Sequence, residues 1–164
     1  MRALVVVESS FGNTRKVAEA VAVGLGPDTV VVDVAGAPHH LDDDLDLVVV
    51  GGPTHAFGMS RPATRADAAR QAGVNGSDDP GLREWIDLVE GRPRCAVATF
   101  DTKVTKARHL PGSAAKGAAK ALKARAFRVV DAPHTFYVTD TPGPLAEGEL
   151  ERARAWGTKL AARP

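Results

Sequence analysis

The segment Ser9-Ser10-Phe11-Gly12-Asn13-Thr14 has the residue types and spacing to do chemistry. Ser9, Ser10 and Thr14 bring hydroxyls and Asn13 an amide, grouped around Gly12, which lets a ligand approach the backbone closely. An apolar run ends just before it and a helical pattern opens at Asn13, so the segment reads as a strand-to-helix turn with unpaired helix N–H groups at its tip. A phosphate seated there gains several hydrogen bonds and the helix dipole, worth about 0.3–1 kcal/mol at an exposed end. No Lys or Arg lies inside the turn; Arg15 and Lys16 belong to the helix. Backbone and hydroxyls must therefore neutralise the phosphate. An ordinary capped turn would need fewer polar groups. Neither a Gly-x-x-x-x-Gly-Lys-Ser/Thr loop nor a Gly-x-Gly-x-x-Gly fingerprint is present.

Two more loops follow expected strand ends. Residues 52–60 carry Pro53, Thr54, His55, Phe57 and Gly58, where the glycines and proline turn the chain sharply. Residues 100–112 follow a strand over 94–100, and Thr99-Phe100-Asp101-Thr102-Lys103 is polar enough to contact a ligand through its backbone. His39-His40 with Asp42-Asp43-Asp44 is a polar loop, because adjacent ligands without a second cluster do not build a metal geometry. His109 and His134 have no carboxylate partner in the sequence. The pattern names no catalytic acid, base or nucleophile and no metal ligand.

The elements that position these loops alternate. Residues 2–8, 29–34, 46–51, 94–100 and parts of 127–139 read as strands, the first four nearly continuous in apolar residues, as parallel strands covered on both faces are. Helices are expected over 14–25, with Val17, Val21 and Leu25 on one side, and over 61–72. A third opens at Asp79-Pro80 and stops at Gly91. A fourth is capped by Ser113 and runs to 126; the last covers 146–161, with Leu150, Trp156 and Leu160 inward. Strand–helix alternation over five strands means a doubly wound α/β sheet, and the absence of linkers and repeats predicts a single domain over 1–164.

The strand-1 turn around Gly12-Asn13-Thr14 resembles the phosphate loop of flavodoxins, whose pattern Ser/Thr-x-Thr-Gly-x-Thr is met here with Phe11 in place of the third hydroxyl residue. The resemblance extends over the whole chain and implies a flavodoxin-like fold of strand order 2-1-3-4-5, with FMN at the sheet edge. It implies that Ser9, Ser10, Phe11, Gly12, Asn13 and Thr14 hold the phosphate. Pro53, Thr54, His55, Phe57 and Gly58 would flank the ring, with His55 or Phe57 where flavodoxins often place Trp. Thr99, Phe100, Asp101 and Thr102 would meet the pyrimidine edge, and Lys103 or Arg108 would favour negative charge on a reduced ring. The Gly-Asp and Tyr that flavodoxins commonly carry at this third loop are missing, so one ring face is expected to lack an aromatic wall. Phe57 as a core anchor and His55 as a solvated residue is the plainer alternative.

With 164 residues, 44% apolar and 25% charged, the chain suits one soluble domain. A net charge of +1 announces neither nucleic acid nor an acidic docking face. No run reaches the roughly 18 apolar residues of a membrane span, and the first strand is too short for a signal peptide. The lone Cys95 allows no internal disulfide, which points to a reducing cytoplasm. The function expected is electron transfer on FMN between a redox partner protein or small-molecule acceptor and its counterpart. Its alternatives are a small FMN-dependent reductase or oxidase of a quinone or porphyrinogen, and a binding module of the same fold without cofactor. A receiver domain is excluded, because strand 3 ends in Gly51-Gly52 rather than in a phosphorylatable Asp.

Overall fold

A strand that is apolar at every residue must be covered on both faces. In the computed structural model, which describes residues 1–73, 79–91 and 95–163, β1 (Ala3–Val7) is buried throughout and β3 (Leu47–Pro53) nearly so. β2 (Thr29–Asp33) departs from the expectation: it is an edge strand, and Val30 is exposed. β4 (Ala96–Val104) runs nine residues rather than ending at residue 100. Arg94, where that strand was expected to begin, lies outside the described residues.

All pairings are parallel, in the order β2-β1-β3-β4-β5, with β6 also on β4. β5 (Arg128–Val129) pairs with the start of β4, and β6 (His134–Val138) with its second half. The fifth position of the sheet is thus filled by two strands, giving six where five were expected. Asp131-Ala132-Pro133 makes the break, since Pro133 has no N–H for the ladder.

α1 (Asn13–Leu25) and α5 (Glu149–Ala161) cover one face, where Val5, Val7, Val49, Phe100, Phe136 and Trp156 pack together. α3 (Leu82–Leu88) and α4 (Ala114–Ala124) cover the other, with Val6, Val48, Val50, Leu82, Trp85 and Leu122. α2 (Pro62–Gln71) lies outside with Ala68 as its only buried residue. Two helix expectations need correction. α3 begins at Leu82, so Pro80 is not its first residue; Gly81 takes the cap position and the Glu84 carboxylate accepts its N–H. On α5, Leu150 points to solvent, and the inward residues are Ala153, Trp156, Gly157 and Leu160. Ser113 caps α4 as expected, accepting the Lys116 N–H at 3.2 Å.

α1 and α5 touch backbone to backbone. A Cβ on Gly24 would fall 2.1 Å from the Arg154 carbonyl oxygen, and one on Gly157 2.2 Å from that of Val21. The two indoles lie in different layers: Trp85 Nε1 donates to the Pro38 carbonyl, Trp156 Nε1 to Asp131. No described helix is long and apolar enough to cross a membrane.

Candidate functional site

The carboxyl ends of β1, β3 and β4 open on one cavity of about 440 Å³, inside the roughly 300–1,000 Å³ of small-molecule sites. Each wall follows a different strand of the three.

The β1–α1 turn forms the first wall. Gly12 holds a left-handed φ of 85°, and a Cβ there would meet nothing within 4 Å, so conformation rather than crowding requires glycine. That kink lets Ser10, Phe11, Asn13 and Thr14 line the cavity. The hydroxyls divide their work. Ser9 Oγ accepts the N–H groups of Gly12 at 3.1 Å and Arg15 at 3.3 Å, so it closes the turn from within. Thr14 is buried and its hydroxyl shares a 2.8 Å hydrogen bond with that of Thr102. Ser10 is the cavity-lining hydroxyl of the turn that is bonded to neither. Asn13 Nδ2 donates to the Pro142 carbonyl, tying the 139–145 segment over the turn.

The loop after β3 forms the second wall, through Pro53, Thr54, His55 and Phe57, while Gly58 closes the turn without lining the cavity. His55 N donates to Gly58 O at 2.8 Å and Gly58 N to His55 O at 3.0 Å, enclosing Ala56 at φ 42° and Phe57 at φ 72°. Two left-handed residues between paired ends suit Asn-Gly, not Ala-Phe, and each such non-glycine conformation costs roughly 1–3 kcal/mol. Phe57 is 64% exposed at the mouth, so it is no core anchor. Gly112 packs on it so closely that a Cβ there would fall 2.1 Å from Phe57 O.

The third wall corrects the sequence reading. Thr99, Phe100, Asp101 and Thr102 are strand residues of β4, because the ladder to β3 continues to Thr102 opposite Pro53. Thr102 reaches the cavity. Thr99 donates instead to the Ala115 carbonyl at 3.0 Å, and Phe100 packs edge-on against Phe136 and Trp156. Asp101 is fully buried; its Oδ2 accepts from Thr54 Oγ1, Ser113 Oγ and the Ala115 N–H at 2.6–3.0 Å. One carboxylate thus ties the loop after β3 to the start of α4. Lys103 lines the cavity but donates to the carbonyls of Leu110 and Gly112, and Arg108 lies over the Tyr137 ring.

The remaining lining was not foreseen. Thr64, Asp67 and Gln71 come from α2, and Asp140, Thr141 and Pro142 from the segment after β6. Asp140 is paired with Lys106 at 2.8 Å. The Thr141-Pro142-Gly143-Pro144 run announces a turn, but nothing in it says which strand end it covers. The histidines behave differently from one another. His55 is held below its ordinary pKa, chiefly by burial, with Glu8 pulling upward and Arg65 downward. His134 stacks on Trp156 at 4.8 Å and is lowered by burial and by Arg152. His40 pairs with Glu90, and Asp42 and Asp44 with Arg2.

No protein-family model matches the sequence, and a search of curated proteins finds no match. Solved structures do match along the full length. Flavodoxin 1 from Bacillus cereus superposes with a TM-score of 0.71 at 16% identity, covering 100% of this chain and 99% of that one. A flavodoxin from the domain Archaea gives 0.66 at 19% identity, with 98% and 96% covered. A flavodoxin, WrbA-like protein from Agrobacterium tumefaciens gives 0.58 at 20% identity, with 98% and 94% covered. The chain has the flavodoxin-like α/β fold.

Proposed function

We propose that the cavity binds FMN and that the protein transfers electrons between a redox partner protein and a second partner or small-molecule acceptor. The observation that carries this reading is the left-handed β1–α1 turn, whose helix start opens on the same cavity as His55 and Phe57. The first N–H groups of a helix have no partner within it. Together with Ser10 and the positive end of the α1 dipole they make a donor set suited to a phosphate monoester. The turn holds no carboxylate, and the acid opposite it, Asp140, is neutralised by Lys106.

In this reading Ser9 and Gly12 shape the phosphate loop, while Ser10, Phe11, Asn13 and Thr14 face the phosphate and its chain. Thr54, His55 and Phe57 flank the ring, on the support of Pro53 and Gly58. Thr102 faces it from β4, and Thr99, Phe100 and Asp101 act from beneath by holding the strand and its neighbours in place. Bound FMN supplies the electron chemistry; the protein supplies binding, orientation and electrostatics. One observation favours a small reductase as the second reading: the exposed Phe57 leaves the mouth open to a planar acceptor such as a quinone.

The test is a visible spectrum of the purified protein with identification of any released flavin, followed by titration with FMN and riboflavin. Ser10→Ala is expected to weaken FMN by about 1.5–3 kcal/mol, the worth of a hydrogen bond to a charged group, and to leave riboflavin unchanged. Equal losses for both ligands would move the phosphate away from this turn. Rapid quinone turnover with a reduced nicotinamide donor would establish the reductase reading.

A further inference from the structure

Between the end of β1, α2 and the start of α3 lies a set of buried and half-buried charges that line no part of the cavity. Glu8, just past β1, is 7% exposed. Its Oε2 accepts the Leu82 N–H at 2.8 Å, while Oε1 is buried with no hydrogen-bond partner. Arg65 on α2 donates to Ser60 Oγ at 3.0 Å and to Glu84 at 3.2 Å, and its Nε is likewise buried without a partner. The groups converge at Gly81, where a Cβ would lie 2.4 Å from Arg65 Nη1 and 2.8 Å from both Glu8 Oε2 and Ser60 Oγ. Arg83 stands beside the set, its Nη2 donating to the Met59 carbonyl at 3.3 Å and its Nε buried without a partner, so the neighbourhood holds two carboxylates and two guanidiniums. An unpartnered carboxylate oxygen out of water is costly unless something nearby uses its charge.

His55 reaches α2 at the residue before Arg65. Its Nδ1 lies 3.3 Å from Thr64 Oγ1, a hydroxyl that donates to the Arg61 carbonyl at 3.1 Å and accepts the Arg61 N–H at 2.9 Å. Since the one hydroxyl proton is committed, the hydrogen-bond network puts the imidazole hydrogen on Nδ1 and leaves the lone pair on Nε2. The charged side chains that line the cavity are engaged: Asp67 pairs with Arg70, Asp140 with Lys106, and Lys103 donates to two carbonyls. Asp101, which does not line it, accepts three hydrogen bonds at Oδ2 and keeps Oδ1 buried without a partner.

We propose that Nε2 of His55 is the proton-accepting atom of the cavity, and that the buried Glu8 carboxylate is the positioning residue that tunes it. The proposal rests on the reading of the cavity as an FMN site. With the cavity neutral, burial holds the imidazole below its ordinary pKa, with Glu8 pulling upward and Arg65 downward. Negative charge brought into the cavity adds to the pull of Glu8, and the ring then takes one proton from solvent onto Nε2. No covalent bond to the ligand is made or broken. By linkage, whatever negative charge raises proton affinity at His55 is itself held more tightly in acid.

The first arm of the test uses the protein alone: the His55 imidazole is titrated by NMR between about pH 5 and pH 8, the window in which histidine changes charge. Glu8→Gln should lower its proton-binding constant about tenfold, as loss of a nearby opposite charge does, and Arg65→Met should raise it. A His55 titration unmoved in both variants, with the far-UV spectrum intact, overturns the proposal. Where Glu8→Gln fails to fold, Glu8→Asp and Arg65→Met decide it. The second arm repeats the titration on the FMN complex before and after dithionite reduction, expecting His55 to titrate at higher pH in the reduced complex. FMN binding with the same His55 titration in both states overturns the proposal while the FMN reading stands. Failure of FMN to bind removes the FMN reading, and the first arm still decides whether Glu8 tunes His55.

Discussion

Phe57 sits at φ 72° directly after Ala56 at φ 42°, in a turn that glycine would occupy without strain. Its ring is mostly in solvent, so little burial compensates. Phe57→Gly should therefore raise stability by about 1 kcal/mol, read as a higher urea midpoint. On the proposed FMN reading, the same change should weaken flavin and lessen the quenching of its emission, because the aromatic face at the cavity mouth is gone. A variant less stable than the parent would show that contact with Gly112 outweighs the backbone strain. Strain of this kind is not legible in a sequence, since Ala56-Phe57 carries no turn signal; only Gly52-Pro53 and Gly58 mark the loop. The polar β1–α1 turn was legible in its composition but not in its division of labour. Nothing in Ser9-Ser10-Phe11-Gly12-Asn13-Thr14 says that Ser9 closes the turn and that Thr14 bonds to Thr102 across the sheet.

At the level of elements, α1 and α5 make the tightest contact between helices. Gly157→Ala gains about 1 kcal/mol of helix propensity but puts a methyl 2.2 Å from the Val21 carbonyl. Backbone cannot step aside as a side chain does, so the clash wins, and we expect a net loss of about 1–3 kcal/mol in chemical denaturation. Gly117 on α4 is the control: a Cβ there meets only Met59 at 3.6 Å, so Gly117→Ala should stabilise by about 0.5–1 kcal/mol. If both alanines behave alike, helix propensity rather than close approach governs these positions. The helices themselves were readable because Val17, Val21 and Leu25 repeat at helical spacing and Ser113 is a cap. The end of β4 was not. Phe100-Asp101-Thr102-Lys103 looks like a polar loop, but its backbone continues the ladders to β3 and β6, and its buried polar side chains find partners, Asp101 accepting three hydrogen bonds and Lys103 donating to two carbonyls.

For the whole molecule the shifted histidines and carboxylates share one sign. His55 and His134 lie below the ordinary histidine value, mainly through burial. Burial pushes Glu84, Asp131 and Glu149 upward, but hydrogen bonds and neighbouring guanidinium or ammonium groups outweigh it and leave all three lowered. In each case the unfolded chain takes up protons at a higher pH than the folded one, so stability rises with pH. The histidine share is complete above about 6.5 and lost as pH falls below it, and the carboxylate share is complete above about 4.5 and lost in stronger acid. Urea midpoints measured across that range should fall in two stages on acidification, and a midpoint that rises in acid would contradict the assignment. The indoles offer a different kind of reading. Trp85 and Trp156 are buried on opposite sides of the sheet and are the only two in the chain. Trp156→Phe leaves an emission signal from the α3–α4 side alone, and Trp85→Phe one from the α1–α5 side. Each variant then reports when water reaches its own half of the protein. If both curves coincide with loss of the circular dichroism signal, the two halves melt as one cooperative unit; a gap between them would identify the half that opens first.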